Sequence, residues 1–293
     1  MDDILLKNHE IGHYSGYKTR VFSDYFFELT TESDLPKLAH IYRFSLENNI
    51  PFLIIWWWTN ILFSSERFPG IIVKNSLFGW EYNEEKKFLH AFSNEPIWTI
   101  AQSLETDFFQ DIWHRFIWLP GSIGGAVYGN AGCFGLEIES NFLRATVFDM
   151  LLEKRRNISR EEMKFAYRYS FLKENPHLFL VWACFDLSEK REKYHSDVDN
   201  IDFRENKQPK GNSCGSFFKN PSRDISAGFL IEKVGLKWDH HGGAYWSDLH
   251  ANFLMSEWEK CRPSDLLELV RLTQKKVKEE TGYDLMNEVR IIL

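Results

Sequence analysis

The chain is 293 residues long, with 44% hydrophobic and 26% charged residues, so it can bury a large core in one to three domains of ordinary globular type. Its formal net charge of −7 argues against a nucleic acid or an anionic membrane surface as partner. The longest apolar run, residues 51–58, is too short to cross a bilayer, and the acidic opening Met1-Asp2-Asp3 is unlike a secretory signal, so a cytoplasmic protein is expected.

Residues 24–29 (DYFFEL) predict a strand. Ser33 as N-cap and Pro36 in the first turn open a helix to Asn48, with Leu35, Leu38, Ile41, Tyr42 and Leu46 at helical spacing. Residues 51–55 (PFLII) follow as a short buried strand. No G-x-G-x-x-G follows the first strand, so a Rossmann fold is not expected. Short strands and turns are predicted over 71–92, a glycine-rich segment at 119–135, and strands at 142–150 and 178–187. The polar residues 188–204 read as a linker. Ser264 is placed to cap a helix to about residue 281, with Leu266, Leu269, Val270 and Val277 on one face, Gly282 as its C-cap and a final strand at 288–293. Strands and helices without strict alternation indicate the α+β class. Cys133, Cys184, Cys214 and Cys261 have neither disulfide-framework nor metal-ligand spacing, and reduced thiols are expected. His240, His241 and His250 do not supply a ligand set in register, so no metal is expected.

Four segments carry candidate chemistry. In residues 119–135 (LPGSIGGAVYGNAGCFG), Gly121, Gly124 and Gly125 permit close backbone approaches, and successive N–H groups there can cradle a phosphate; a tight packing turn is the competing reading. In residues 211–221 (GNSCGSFFKNP), Ser216 between a glycine and two phenylalanines is either a sheltered proton donor or a turn serine bonding its own backbone. In residues 165–171 (FAYRYSF), Arg168 among aromatics is either a clamp for carboxylate or enolate charge or a cation–π contact. Glu288, at the start of the last strand, is either a solvated strand-end acid or a carboxyl group poised for proton handling.

In this order, and across most of the chain, these segments resemble the UDP-N-acetylenolpyruvoylglucosamine reductases, the MurB family. Residues 227–237 (AGFLIEKVGLK) and 250–254 (HANFL) are similar to its substrate-domain signatures. The resemblance implies a two-lobed FAD-binding domain of the PCMH/VAO type followed by a C-terminal α+β substrate-binding domain: lobes at 1–85 and 86–199, substrate domain at 200–293. It implies that NADPH reduces bound FAD, and that flavin N5 passes hydride to the enolpyruvyl group of a UDP-sugar on the route to peptidoglycan. Arg168 and Glu288 then stabilise the enolate, and Ser216 protonates the adjacent carbon. By the same resemblance Pro120, Gly121, Ser122, Gly124, Gly125 and Asn130 bind the cofactor, as do residues 56–60. Tyr167, Lys219, Asn220, Glu232 and His250 bind substrate. Arg204, Lys207, Lys210 and Lys219 are available to a nucleotide diphosphate. A monomer is expected.

The likeness breaks in one consistent way. The flavin loop expected after residues 51–55 is glycine-rich, but here it reads Trp56-Trp57-Trp58-Thr59-Asn60, and indoles cannot replace glycines where backbone meets phosphate. Trp118 and Trp238 also stand where the family has glycine, and Trp258 falls at an expected glycine turn before the last helix. The chain holds 11 tryptophans and only 17 glycines, and exchanging those six positions would bring both residues to ordinary usage. Random divergence scatters over residue types. A gene in which UGA encodes glycine, translated with UGA as tryptophan, gives this one-way pattern. An inactive or flavin-free sugar-nucleotide-binding paralogue is the other reading.

Overall fold

The computed structural model describes residues 1, 3–56, 60–193, 199–222 and 224–293. The chain divides into two compact units: Met1–Leu6, Phe26–Trp57 and Gly70–Phe203 in the first, and Lys7–Tyr25, Trp58–Pro69 and Arg204–Leu293 in the second.

In the first unit the helix Leu35–Glu47 buries Leu35, Leu38, Ala39, Ile41 and Tyr42, as its apolar spacing predicts, although Leu46 is exposed. Ser33 does not cap it. Ser33 lies inside the 3-10 turn Glu32–Asp34, and the Asp34 carboxylate accepts the N–H groups of Thr31 (3.2 Å) and Thr30 (3.3 Å) instead. The following strand Phe52–Ile55 pairs in parallel with Arg67–Asn75, Phe52 opposite Ile71 and Ile55 opposite Lys74. The strand Phe22–Leu29 neighbours Arg67–Asn75 and not Phe52–Ile55, so the strand–helix–strand opening does not form an adjacent pair of a dinucleotide fold.

An antiparallel five-stranded sheet follows, in the order Lys154–Ser159, Phe142–Asp149, Leu178–Asp186, Phe88–Phe92, Trp80–Asn83. Its apolar side chains join those of the helices Ile97–Phe108 and Ile123–Gly129 in one core. Leu104, Trp113, Phe116, Ile123, Val127, Leu180 and Phe185 are buried there. The predicted linker carries a helix at its end. Asp199 accepts the N–H groups of Ile201 and Asp202, both at 3.0 Å, and starts the helix Asn200–Asn206.

The second unit holds a four-stranded antiparallel sheet in the order Asn212–Ser216, Phe253–Ser256, Ala244–Trp246, His240–His241. The helix Pro263–Thr281 buries Leu266, Leu269, Val270, Thr273 and Val277. Ser264 falls inside it and does not cap it. The Asp265 carboxylate accepts the Arg262 N–H at 3.0 Å at that end, and Gly282, at φ +77°, closes the other by donating its N–H to the Lys278 carbonyl at 3.0 Å. The final strand is Arg290–Ile292, which pairs in parallel with Ile61–Phe63. Among the described residues no helix is long and apolar enough to cross a membrane, and no three His, Cys, Asp or Glu side chains gather to hold a metal.

Candidate active site

The glycine-rich segment turns from Pro120 into the helix Ile123–Gly129. Ser122 caps that helix, its Oγ accepting the Gly125 N–H at 3.3 Å. The N–H groups next to it are engaged within the protein: Ile123 donates to the Glu95 carbonyl (2.8 Å) and Gly124 to the Ser93 carbonyl (2.6 Å). The run of N–H groups expected to face a phosphate is therefore turned inward at 123–125. Gly121 is different. It sits at φ +118° with nothing within 4 Å of the place a Cβ would take, so this edge of the turn is open. Gly124 is hemmed in: a Cβ there would lie 2.6 Å from Trp56 Nε1 and 2.7 Å from the Ser93 carbonyl oxygen. The indole of Trp56 covers this face, its ring 6.0 Å from that of Tyr128. With tryptophan at 56, a cofactor phosphate does not fit against Gly124. Trp57, Trp58 and Thr59 lie outside the described residues. Asn60 is exposed, and its carbonyl accepts the Arg290 N–H at 3.1 Å.

Asn130 ends the same helix in a left-handed conformation, fully buried. Its Nδ2 donates to Glu137 (3.0 Å) and to the Ala166 carbonyl (3.1 Å), and its Oδ1 accepts the Glu139 N–H (3.2 Å). With Ser170, whose Oγ donates to the Tyr128 carbonyl at 2.8 Å, it fastens the Arg168 turn to the glycine-rich segment. In that turn Ala166 and Tyr169 exchange backbone hydrogen bonds of 3.2 and 3.0 Å, leaving Arg168 at φ +56°. The half-buried guanidinium donates to the Gly132 carbonyl at 3.3 Å and lies 5.2 Å from the ring of the exposed Tyr167. The cation–π contact is thus present beside the guanidinium's hydrogen bond.

Ser216 ends the strand Asn212–Ser216, half-buried and opposite Phe253. The chain then passes through Phe217 and Phe218, which are anchored beneath it against Trp246. Phe217 donates to the Asn252 carbonyl (2.8 Å), and its own carbonyl accepts the Glu288 N–H (2.8 Å). The Asn252 side chain clamps the next residue from both sides, accepting the Phe218 N–H and donating to the Phe218 carbonyl, each at 2.9 Å. Glu288, also half-buried, is hydrogen-bonded to the residue directly after Ser216. Two residues 72 positions apart in the sequence are thereby brought to adjacent backbone sites.

Lys219 continues this pairing, its N–H donating to the Met286 carbonyl at 2.8 Å. Asn220 is exposed and accepts the Ala227 N–H (3.1 Å) at the start of the helix Ala227–Lys233. Glu232, exposed on that helix, accepts from Lys237 Nζ at 3.1 Å. His250 packs 4.7 Å from the Phe253 ring, and its Nδ1 accepts the Asn252 N–H at 3.2 Å. Burial lowers its pKa, with Lys237 contributing in the same direction. It is therefore held as the neutral imidazole with its proton on Nε2. Arg204 is buried, whereas Lys207 and Lys210 are exposed. The residue that motif reading passed over is Asn252. It lies inside the HANFL segment, but its partners are 34 positions away and no local pattern points to them.

Residues 207–292 match the family model of the UDP-N-acetylenolpyruvoylglucosamine reductase C-terminal domain, a span that contains Ser216, His250 and Glu288. A UDP-N-acetylenolpyruvoylglucosamine reductase of Protochlamydia amoebophila is 34% identical over 274 residues, covering 92% of this chain and 87% of that protein. One of Chloroflexus aggregans is 32% identical over 302 residues, covering 98% and 97%. Among solved structures, the reductase of the same name from Thermus caldophilus superposes with a TM-score of 0.72 at 23% identity, over 99% of this chain and 100% of that one, a likeness of fold.

Proposed function

The chain belongs to the UDP-N-acetylenolpyruvoylglucosamine reductase family, and from that premise we propose that it reduces the enolpyruvyl double bond of UDP-N-acetylglucosamine enolpyruvate to give UDP-N-acetylmuramate. The family's redox pair is FAD and NADPH, which supplies the hydride. Saturating the double bond also needs a proton at the neighbouring carbon and a counter-charge for the enolate formed between the two events.

Ser216 is suited to deliver that proton, being half-buried at the end of a strand whose next two residues are locked in place. Arg168 would supply the counter-charge to the enolate oxygen, and Glu288, whose N–H is bonded to the Phe217 carbonyl, would stabilise it as a protonated carboxyl group donating a hydrogen bond. Lys219, Asn220, Glu232, His250 and Tyr167 are assigned to the UDP-sugar, and the three-part division at 1–85, 86–199 and 200–293 is retained as the functional one. A cytoplasmic monomer, without nucleic acid or membrane partners, completes the reading.

The observation that carries it is the pairing of the Ser216 and Glu288 segments through Phe217 and Asn252. Family membership also favours the reductase over a flavin-free sugar-nucleotide binder. NADPH consumption that depends strictly on the enolpyruvyl nucleotide is the expected result. A flavin-loaded protein that consumes no NADPH on its addition would overturn the reading.

A further inference from the structure

We infer that residues 56, 118 and 238, written as tryptophan, are glycine in the protein its own cell makes, their codons being UGA read as glycine.

Backbone geometry carries the case at 118 and 238. The Leu119 N–H donates to the Phe116 carbonyl at 2.9 Å, closing a turn in which Ile117 has φ −57° and ψ +131° and Trp118 has φ +63°. Those are the angles of a type II turn with Trp118 in its third place, the position that calls for glycine. The Asp239 N–H closes a second such turn on the Leu236 carbonyl at 3.0 Å, again with tryptophan third, at φ +66°. A left-handed φ crowds any Cβ, and nothing in an indole offsets this as the short amide of asparagine does.

Left-handed φ alone does not decide the matter, since Phe109 and Phe134 adopt it too. The tryptophans themselves divide. Trp113 and Trp246 are completely buried, the first between Phe116 and Phe185, the second donating from Nε1 to Thr273 Oγ1 at 2.8 Å. Trp182 lies mid-strand, stacked 5.2 Å from His90. Trp113 and Trp246 fill core volume, and Trp182 packs within its sheet. Trp118 and Trp238 are 51% and 53% exposed, and their rings pack on Trp98 in one case and on His240 and Tyr245 in the other. In the two exposed turns the backbone asks for glycine and the core asks for nothing.

Position 56 rests on a different observation, and on the cofactor reading above. There the indole and the Ser93 carbonyl oxygen both crowd Gly124, at 2.6 and 2.7 Å from the place a Cβ would take, and of the two only the indole is removed by glycine at 56. Trp258 is 61% exposed, but the left-handed residue of its turn is Glu259, so the geometry does not extend the inference to it.

Two measurements decide the proposal. Peptide masses from the protein purified from its own cells are expected to show glycine at 56, 118 and 238 and tryptophan at 113, 182 and 246, with UGA in the gene at the first set and UGG at the second. Tryptophan, or UGG, at 118 and 238 overturns it. In recombinant protein, W118G and W238G are expected to keep or raise the melting temperature, whereas W246G lowers it by roughly 10 °C. Losses at 118 and 238 as large as at 246 overturn it equally. For position 56, a chain with glycine at 56–58 is expected to purify with a flavin absorbance band that the tryptophan chain lacks, and identical spectra contradict that part. Glycine by mass with no NADPH consumption would sink the reductase reading and leave this inference standing.

Discussion

A serine hydroxyl is a weak acid, so what qualifies Ser216 is its setting: it ends a strand, and the two phenylalanines after it are immobilised in the core. Ser216→Ala removes the proposed proton donor without disturbing those anchors, and kcat is expected to fall by about 10²–10⁴-fold with little change in KM. Asn252 is a positioning residue. Asn252→Ala leaves the Phe218 N–H and carbonyl buried without their partner, a loss of about 2–4 kcal/mol readable in a urea titration. His250 sets a pH dependence of the opposite kind to a salt-bridged histidine. Its folded pKa is lowered below the usual 6.5, so the unfolded chain binds the proton more tightly. The contribution is fully present above pH 6.5 and is lost as the pH falls below it. Urea midpoints at pH about 7.5 and about 5.5 should therefore draw together in His250→Asn relative to the parent chain.

At the scale of elements, periodicity was readable and the helix starts were not. The Leu35–Glu47 and Pro263–Thr281 helices follow directly from apolar spacing, since a helix buries one face whatever lies beyond it. Their starts depend on which side chain reaches the first N–H groups. Asp34 takes the N–H groups of Thr30 and Thr31 ahead of the first helix, and Asp265 that of Arg262 ahead of the second, and the neighbouring serines do neither. The glycine-rich turn shows the same limit. Its composition announces close backbone approach, but not that Ser93 and Glu95 take the N–H groups of Gly124 and Ile123, because those partners are about 30 residues away. The C-cap was legible because only glycine takes φ +77° without strain. Gly282→Ala is expected to cost about 1 kcal/mol, measured by thermal unfolding.

Across the whole molecule, each of the two units draws on separated stretches of chain. The second collects residues 7–25 and 58–69 as well as the C-terminal part, and its parallel pair Ile61–Phe63 with Arg290–Ile292 joins segments that no local reading connects. Arg168 belongs to the first unit, Ser216 and Glu288 to the second. The family motifs made the candidate residues legible because each motif is continuous; the clamp that sets Ser216 beside Glu288 was not, because it is assembled from three distant segments. The most direct test of the central claim follows the electrons. Flavin-loaded protein with glycine at 56–58 is reduced by NADPH without oxygen, and UDP-N-acetylglucosamine enolpyruvate is then added. Return of the oxidised flavin band together with formation of UDP-N-acetylmuramate is the predicted result. A flavin that stays reduced in the presence of that substrate would contradict it.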